Sequence, residues 1–268
     1  MKKKEVKTAV SMDWKDERQV KAFKILVRTY YDYQWERIGL DDRMGMKKSG
    51  EAKKGTPERD EAILAELWRR REELDNLESN LAKEIARFVH THPLWDAFLL
   101  HVKGCGETIA AVILSEFDIA KAPMVSNMVS FAGLAPGKDR KTKGNKCPYN
   151  QFLRAKLCGV LGSSFLKSKS MPYSMYYYNE KMRLENSDVM VTERLRAEDR
   201  KRKEYKGQTE RTVEWKNAYL DHRHKAATRK MVKEFLKDLY VAWRTLDGLP
   251  IRKPYEQEYL GRKHSKAA

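Results

Sequence analysis

VKGCGETIAAVIL, residues 102–114, puts two glycines around a cysteine between two apolar segments. Gly104 and Gly106 permit a sharp backbone reversal that a residue with a Cβ resists. Two readings of that reversal are open. One is a tight helix-to-helix turn. The other is a helix-hairpin-helix that binds phosphate, in which the turn exposes backbone N–H groups and the next helix aims its positive end at the ligand. In the second reading Lys103 adds a cation, Cys105 lies between the glycines and Thr108 just after them, and Ala110 and Ala111 are the small residues where the helices cross. Glu107 suits the helix dipole but repels a phosphate, which supports the plain turn.

The flanking sequence is helical throughout. Pro93 opens a short amphipathic helix over 93–102, with Leu94, Trp95, Phe98, Leu99 and Val102 inward. Before it, Leu67, Leu74, Leu81 and Phe88 recur at heptad spacing in a helix over 57–90, with Thr56 and Pro57 as cap and first position. Arg69, Arg70 and Arg71 interrupt this coiled-coil-like seam. The helix therefore either packs on the helix expected over 13–38, which Asp13 would cap, or meets a second copy in a homodimer. Residues 39–56, GLDDRMGMKKSGEAKKGT, read as a flexible linker.

Downstream, apolar periodicity predicts helices over 107–116, 124–132, 150–168, 171–185 and 217–247. The doubly charged stretch 186–212 reads as a solvated helix or as a segment that orders on binding. Alternating strands are absent. The expected fold class is all-α. Its expected parts are an N-terminal helix and linker (1–56), the long helix (57–92), a compact helical domain holding the hairpin (93–185), and a charged segment with a C-terminal helix and tail (186–268).

Charge narrows the partners. Fifty-five Lys and Arg against 38 Asp and Glu give a net +17 and a pI near 9.6. Such a field attracts polyanions, nucleic acid first, with a membrane surface or an acidic protein as alternatives. Cys105, Cys147 and Cys158 form no C-x-x-C pair, so neither a zinc ribbon nor a disulfide framework is expected. His222 and His224 fall on different helix faces without a completing ligand, so no metal site and no cofactor are expected. Tyr176, Tyr177 and Tyr178 are candidates to stack on bases, or to divide between core and surface. No apolar run approaches the ~18 residues of a membrane span, and the N-terminus lacks a secretory apolar region. The expected location is cytoplasmic and nucleoid-associated, with no membrane partner.

A second basic element follows the hairpin. In GLAPGKDRKTKGNKCPYNQFLRAKL, residues 133–157, Lys138, Arg140, Lys141, Lys143 and Lys146 crowd together with Asp139 the sole acid among them. The loop feeds a helix bearing Arg154 and Lys156. It is either a solvated loop or an extension of a phosphate track.

The run from VKGCGETIAAVILSEF through MVSFAGLAPG to NQFLRAKLCGVLG, residues 102–166, resembles the C-terminal domain of transposases of the insertion-sequence 110/116/902 family. The shared order is a G-x-G hairpin with an alanine-rich helix, a helix ending in A-G-L-x-P, a basic glycine-containing loop, and an N-x-x-L-R helix. The resemblance implies DNA recombination by a mobile element, with DNA as partner and a guide RNA alongside it. Family members pair this domain, which carries a serine nucleophile, with a metal-dependent RuvC-like domain. Residues 1–56 show no strand pattern for such a domain, so Mg²⁺ would enter only with a nuclease supplied in trans. The family's serine lies in the loop after G-L-x-P, where this sequence has none. Thr142 and Cys147 are the candidate nucleophiles that remain. The alternative reading is a non-catalytic architectural DNA- or RNA-binding module derived from a transposase.

Overall fold

A computed structural model describes residues 12–47, 49, 51–54, 61–136, 144 and 146–252. The fold is mostly helical and all-α in class, with one small β-ribbon. The chain divides into two compact units, residues 1–101 with 106–118, and residues 102–105 with 119–268. This partition differs from the one expected at positions 57, 93 and 186.

In the first unit α1 (Glu17–Arg43) and α2 (Glu61–Val89) run antiparallel, and α4 (Glu107–Glu116) packs on both. Phe23 meets Phe88 edge-on at 5.8 Å between ring centres. Farther along, Arg37 donates to Glu78 Oε2 at 2.7 Å and to Asp41 Oδ2 at 2.9 Å. Arg71 donates to the other oxygen of Asp41 at 2.6 Å. Arg37 is 1% exposed, so the interior of this helix pair is ionic at one level and apolar at the next. That explains the broken heptad: Arg71 turns inward because α1 offers it a carboxylate. The two long helices pair within the chain. Glu116, also buried, closes α4 onto α1 by accepting from Lys24 at 2.7 Å and Arg28 at 2.8 Å.

Several boundaries move. The cap of α1 is Asp16, whose side chain accepts from the Arg18 N–H, and not Asp13. The helix continues through Gly39 to Arg43, because Leu40 and Asp41 are buried and packing outweighs the glycine. The expected linker is therefore structured where described. Met44 and Met46 join Leu40 and Leu74 in a small core, and Met46 bridges Ala52. Thr56 and Pro57 lie outside the described residues. The helix expected over 93–102 is a short α3 (Pro93–Ala97) followed by a 3₁₀ turn (Leu99–His101).

The second unit is built on α9 (Leu220–Leu246). Ala227, Met231, Val232, Phe235, Leu236 and Leu239 form its fully buried stripe. Around it pack α5 (Val125–Phe131), α8 (Tyr173–Glu185) and a continuous helix made of α6 (Gln151–Ala155), a π-turn (Lys156–Leu161) and α7 (Gly162–Ser168). Leu153, Leu157, Leu161 and Phe165 recur every fourth residue and are all fully buried. Four residues carry an α-helix about 40° past a full turn, so an unbroken helix would rotate this row off the core. The π-turn takes up an extra residue and keeps the row on one face.

The stretch 186–212 is neither a helix nor without structure. It holds β1 (Met190–Arg194), two 3₁₀ turns (Asp199–Lys201 and Lys203–Tyr205), and the start of β2 (Glu210–Glu214), paired antiparallel to β1 with Val191 opposite Val213. Its charges hid the strands. Alternation is weak where only one side chain of β1, Glu193, is buried.

Candidate nucleic-acid interface

The net positive charge of the protein lies in one unit. Residues 102–105 with 119–268 hold 34 Lys and Arg against 16 Asp and Glu, a net +18. The other unit holds 21 against 22, a net −1. The whole-chain figure of +17 conceals this separation.

The glycine turn straddles the boundary between Cys105 and Gly106, and each side has its own structure. In the basic unit, Lys103 is exposed, Gly104 has φ +91°, and Cys105 is buried. The Gly104 carbonyl accepts from Ser164 Oγ at 2.8 Å. A Cβ at Gly104 would stand 2.8 Å from Ser168 Oγ and 3.0 Å from Ser164 Oγ. Gly104 thus answers two demands, a left-handed backbone and a close approach to α7. In the other unit Gly106 is exposed, and a Cβ there would meet nothing within 4 Å. It opens α4 with no side-chain cap, so no side chain takes the first N–H groups at that point. Thr108 is tied by a side-chain hydrogen bond to Tyr31, whose phenol burial holds well above its ordinary pKa. Glu107 lies 3.7 Å from His90 Nε2.

Lys138, Arg140, Lys141, Thr142 and Lys143 lie outside the described residues. The segments that bracket them are held together. The Asn150 N–H donates to the Phe131 carbonyl at 2.9 Å. Gly133, at φ +67°, lies so close under Tyr149 that a Cβ would come within 2.5 Å of the ring. Arg154 sits 5.0 Å from the centre of the same ring. Asn150 then caps α6 by accepting from the Leu153 N–H at 3.0 Å. The A-G-L and Y-N-Q motifs are therefore the two feet of one loop. Lys146 is exposed at its end, and Cys147 is half-buried.

Other titratable groups are committed elsewhere. His222 Nδ1 lies 3.2 Å from Glu193 Oε2, and His224 Nδ1 lies 2.7 Å from Tyr177 Oη. Tyr177 is buried, whereas Tyr176 and Tyr178 are exposed. Burial pushes the Cys158 thiol up, although Arg154 and Arg229 act against it. No cluster of three or more His, Cys, Asp or Glu suited to a metal ion is found among the described residues, and none of their helices is long and apolar enough to cross a membrane.

The sequence reading missed a constellation at the loop end of the β-ribbon, one pair in from its last rung, Arg194 opposite Glu210. Glu193, 3% exposed, accepts from Arg211 Nε at 2.8 Å and from the Tyr219 backbone N–H at 2.9 Å. The guanidinium carbons of Arg196 and Arg211 lie 4.3 and 4.2 Å from the centre of the Tyr219 ring. Tyr219 Oη donates to Asp199, a bond that holds the Asp199 carboxyl below its ordinary range. Arg196 also pairs with Asp221, which together with Lys225 brings that carboxyl down to about 2. These partners are 20 and more residues apart in places, and nothing in local periodicity announces them.

No protein-family model matches the chain, and no curated protein or solved structure matches it at a significant level.

Proposed function

We propose that this chain is a DNA-binding, transposase-like protein of a mobile genetic element, acting in DNA transposition or recombination. The observation that carries the reading is the separation of charge, +18 in one compact unit and −1 in the other. A solvating surface needs no such asymmetry, whereas a unit that neutralises backbone phosphates does. Lys103, Lys146 and Arg154 supply cations on that unit. In the other unit, and separately, the uncapped start of α4 at Gly106 leaves backbone N–H groups without a side-chain cap. These contacts bind phosphate and read no sequence. Strand transfer would draw its nucleophile from Thr142 or Cys147, or from a RuvC-like partner acting in trans.

The second reading is a non-catalytic architectural DNA- or RNA-binding module. It is favoured by His222 and His224, whose ring nitrogens face structural partners. One experiment separates the two. The purified full chain is incubated with labelled duplex and with supercoiled plasmid, with and without Mg²⁺. Nicked or joined products support the recombinase, and retention of unaltered DNA supports the architectural module. Failure to retain either DNA, or a labelled RNA added as a third substrate, at low salt refutes both.

A further inference from the structure

We propose that the β1–β2 ribbon is a dedicated docking element for the phosphate backbone of duplex DNA, with Arg200, Lys201, Lys203 and Lys206 as its contacts. The inference rests on the nucleic-acid reading above, but it assigns a surface that neither the hairpin nor the loop 137–146 contains.

The first argument is where the charges of the ribbon point. Three of its acids are paired. Glu193 is buried against Arg211, and Asp199 takes the Tyr219 hydroxyl and lies 3.2 Å from Arg202. Glu204 reaches Arg202 at 3.9 Å. The tip is different. Residues 200–206, RKRKEYK, hold five Lys and Arg with Glu204 the sole acid. Arg200, Lys201, Lys203 and Lys206 are exposed, and no side-chain partner is seen for them among the described residues. These three acids are engaged, Glu198 stays exposed, and four cations of the connecting loop stand uncompensated.

The second argument is rigidity. The loop end of the ribbon is fixed by a buried carboxylate, a tyrosine ring flanked by two guanidiniums, and the Tyr219–Asp199 hydrogen bond. The two 3₁₀ turns then shape the tip, with the Arg202 N–H donating to the Asp199 carbonyl at 3.0 Å and the Gln208 N–H to the Tyr205 carbonyl at 3.0 Å. A loop ordered before binding loses less freedom on binding.

The test is a salt titration of full-length protein on a mixed-sequence DNA duplex, read by fluorescence anisotropy. The ribbon variant carries Lys201→Gln, Lys203→Gln and Lys206→Gln. A charge-matched variant carries Lys167→Gln, Lys169→Gln and Lys181→Gln in the same unit. Each neutralised phosphate contributes about 0.9 to the slope of log K against log salt. The ribbon variant is expected to lose roughly 2 to 3 from that slope, with an unchanged melting temperature, while the matched variant loses much less. An equal loss in both variants means a diffuse field and overturns the docking element. So does an unchanged slope in the ribbon variant, while wild-type binding leaves the wider reading standing. Absence of binding by the wild type overturns the ribbon and the wider reading together.

Discussion

Gly104 and Gly106 look interchangeable in the sequence, and the structure separates them. Gly104 has φ +91°, and a Cβ there would press on Ser168 Oγ at 2.8 Å and Ser164 Oγ at 3.0 Å. Forcing an alanine into the left-handed region costs roughly 1–2 kcal/mol. Moving Ser164 away breaks its hydrogen bond to the Gly104 carbonyl, which contributes about 1 kcal/mol more. Gly104→Ala is therefore expected to destabilise the protein by about 2–3 kcal/mol, which lowers Tm by roughly 5–10 °C in a protein of this size. At Gly106 the backbone is extended, with φ −79° and ψ 173°, and a Cβ meets open space. Gly106→Val is expected to leave Tm within about 1–2 °C, because an exposed change at an unstrained position is nearly neutral. It is expected to weaken DNA binding, because the isopropyl group obstructs approach to the N–H groups that start α4. Calorimetry and anisotropy on the two variants read both effects. Equal melting temperatures for wild type and Gly104→Ala would refute the account of the turn. A Gly106→Val protein that binds as well as wild type would remove phosphate from the start of α4.

Three further outcomes follow from the packing. Arg37→Met leaves Glu78 and Asp41 buried without their main cation and should cost roughly 3–5 kcal/mol, recovered in large part by the Arg37→Met, Glu78→Leu double variant. A loss under about 1 kcal/mol by urea denaturation would contradict the ionic interior. Burial lowers His92 to about 4, and its Nδ1 accepts from the Leu94 N–H. An unfolded imidazole titrates near 6.5, so the unfolded state takes the proton first. Stability is full above pH 6.5 and falls as pH drops toward 4, by up to roughly 3 kcal/mol. His92→Asn should flatten that fall, and urea midpoints at pH 7 and 4.5 check it. Asn150→Ala removes the cap of α6 and should cost about 1 kcal/mol by thermal melting.

The helices were legible because their apolar residues keep a period that burial enforces. α9 shows its stripe from Ala227 to Trp243 in sequence as in structure. Boundaries failed where a tertiary partner outweighed local signals. Asp41 and Leu40 draw α1 past Gly39, and Arg71 breaks a heptad that Asp41 restores in a different currency of charge. The ribbon was illegible for a different reason. A strand with one buried acid and polar neighbours carries no hydrophobic alternation, and the residues that fix it, Glu193, Arg211 and Tyr219, pair across the chain. Within the candidate interface, the glycines were found by type, but only geometry distinguishes a glycine required by the fold from one left open.

The central claim is that the lysines that contact nucleic acid lie in one unit. Lysine acetylation of the full chain, with and without bound duplex DNA, followed by mass spectrometry, tests it most directly. Protection is predicted at Lys103, Lys146, Lys201, Lys203 and Lys206, with Lys15, Lys21 and Lys83 labelled equally in both samples. Protection concentrated on Lys15, Lys21 and Lys83, or spread evenly over both units, would contradict it.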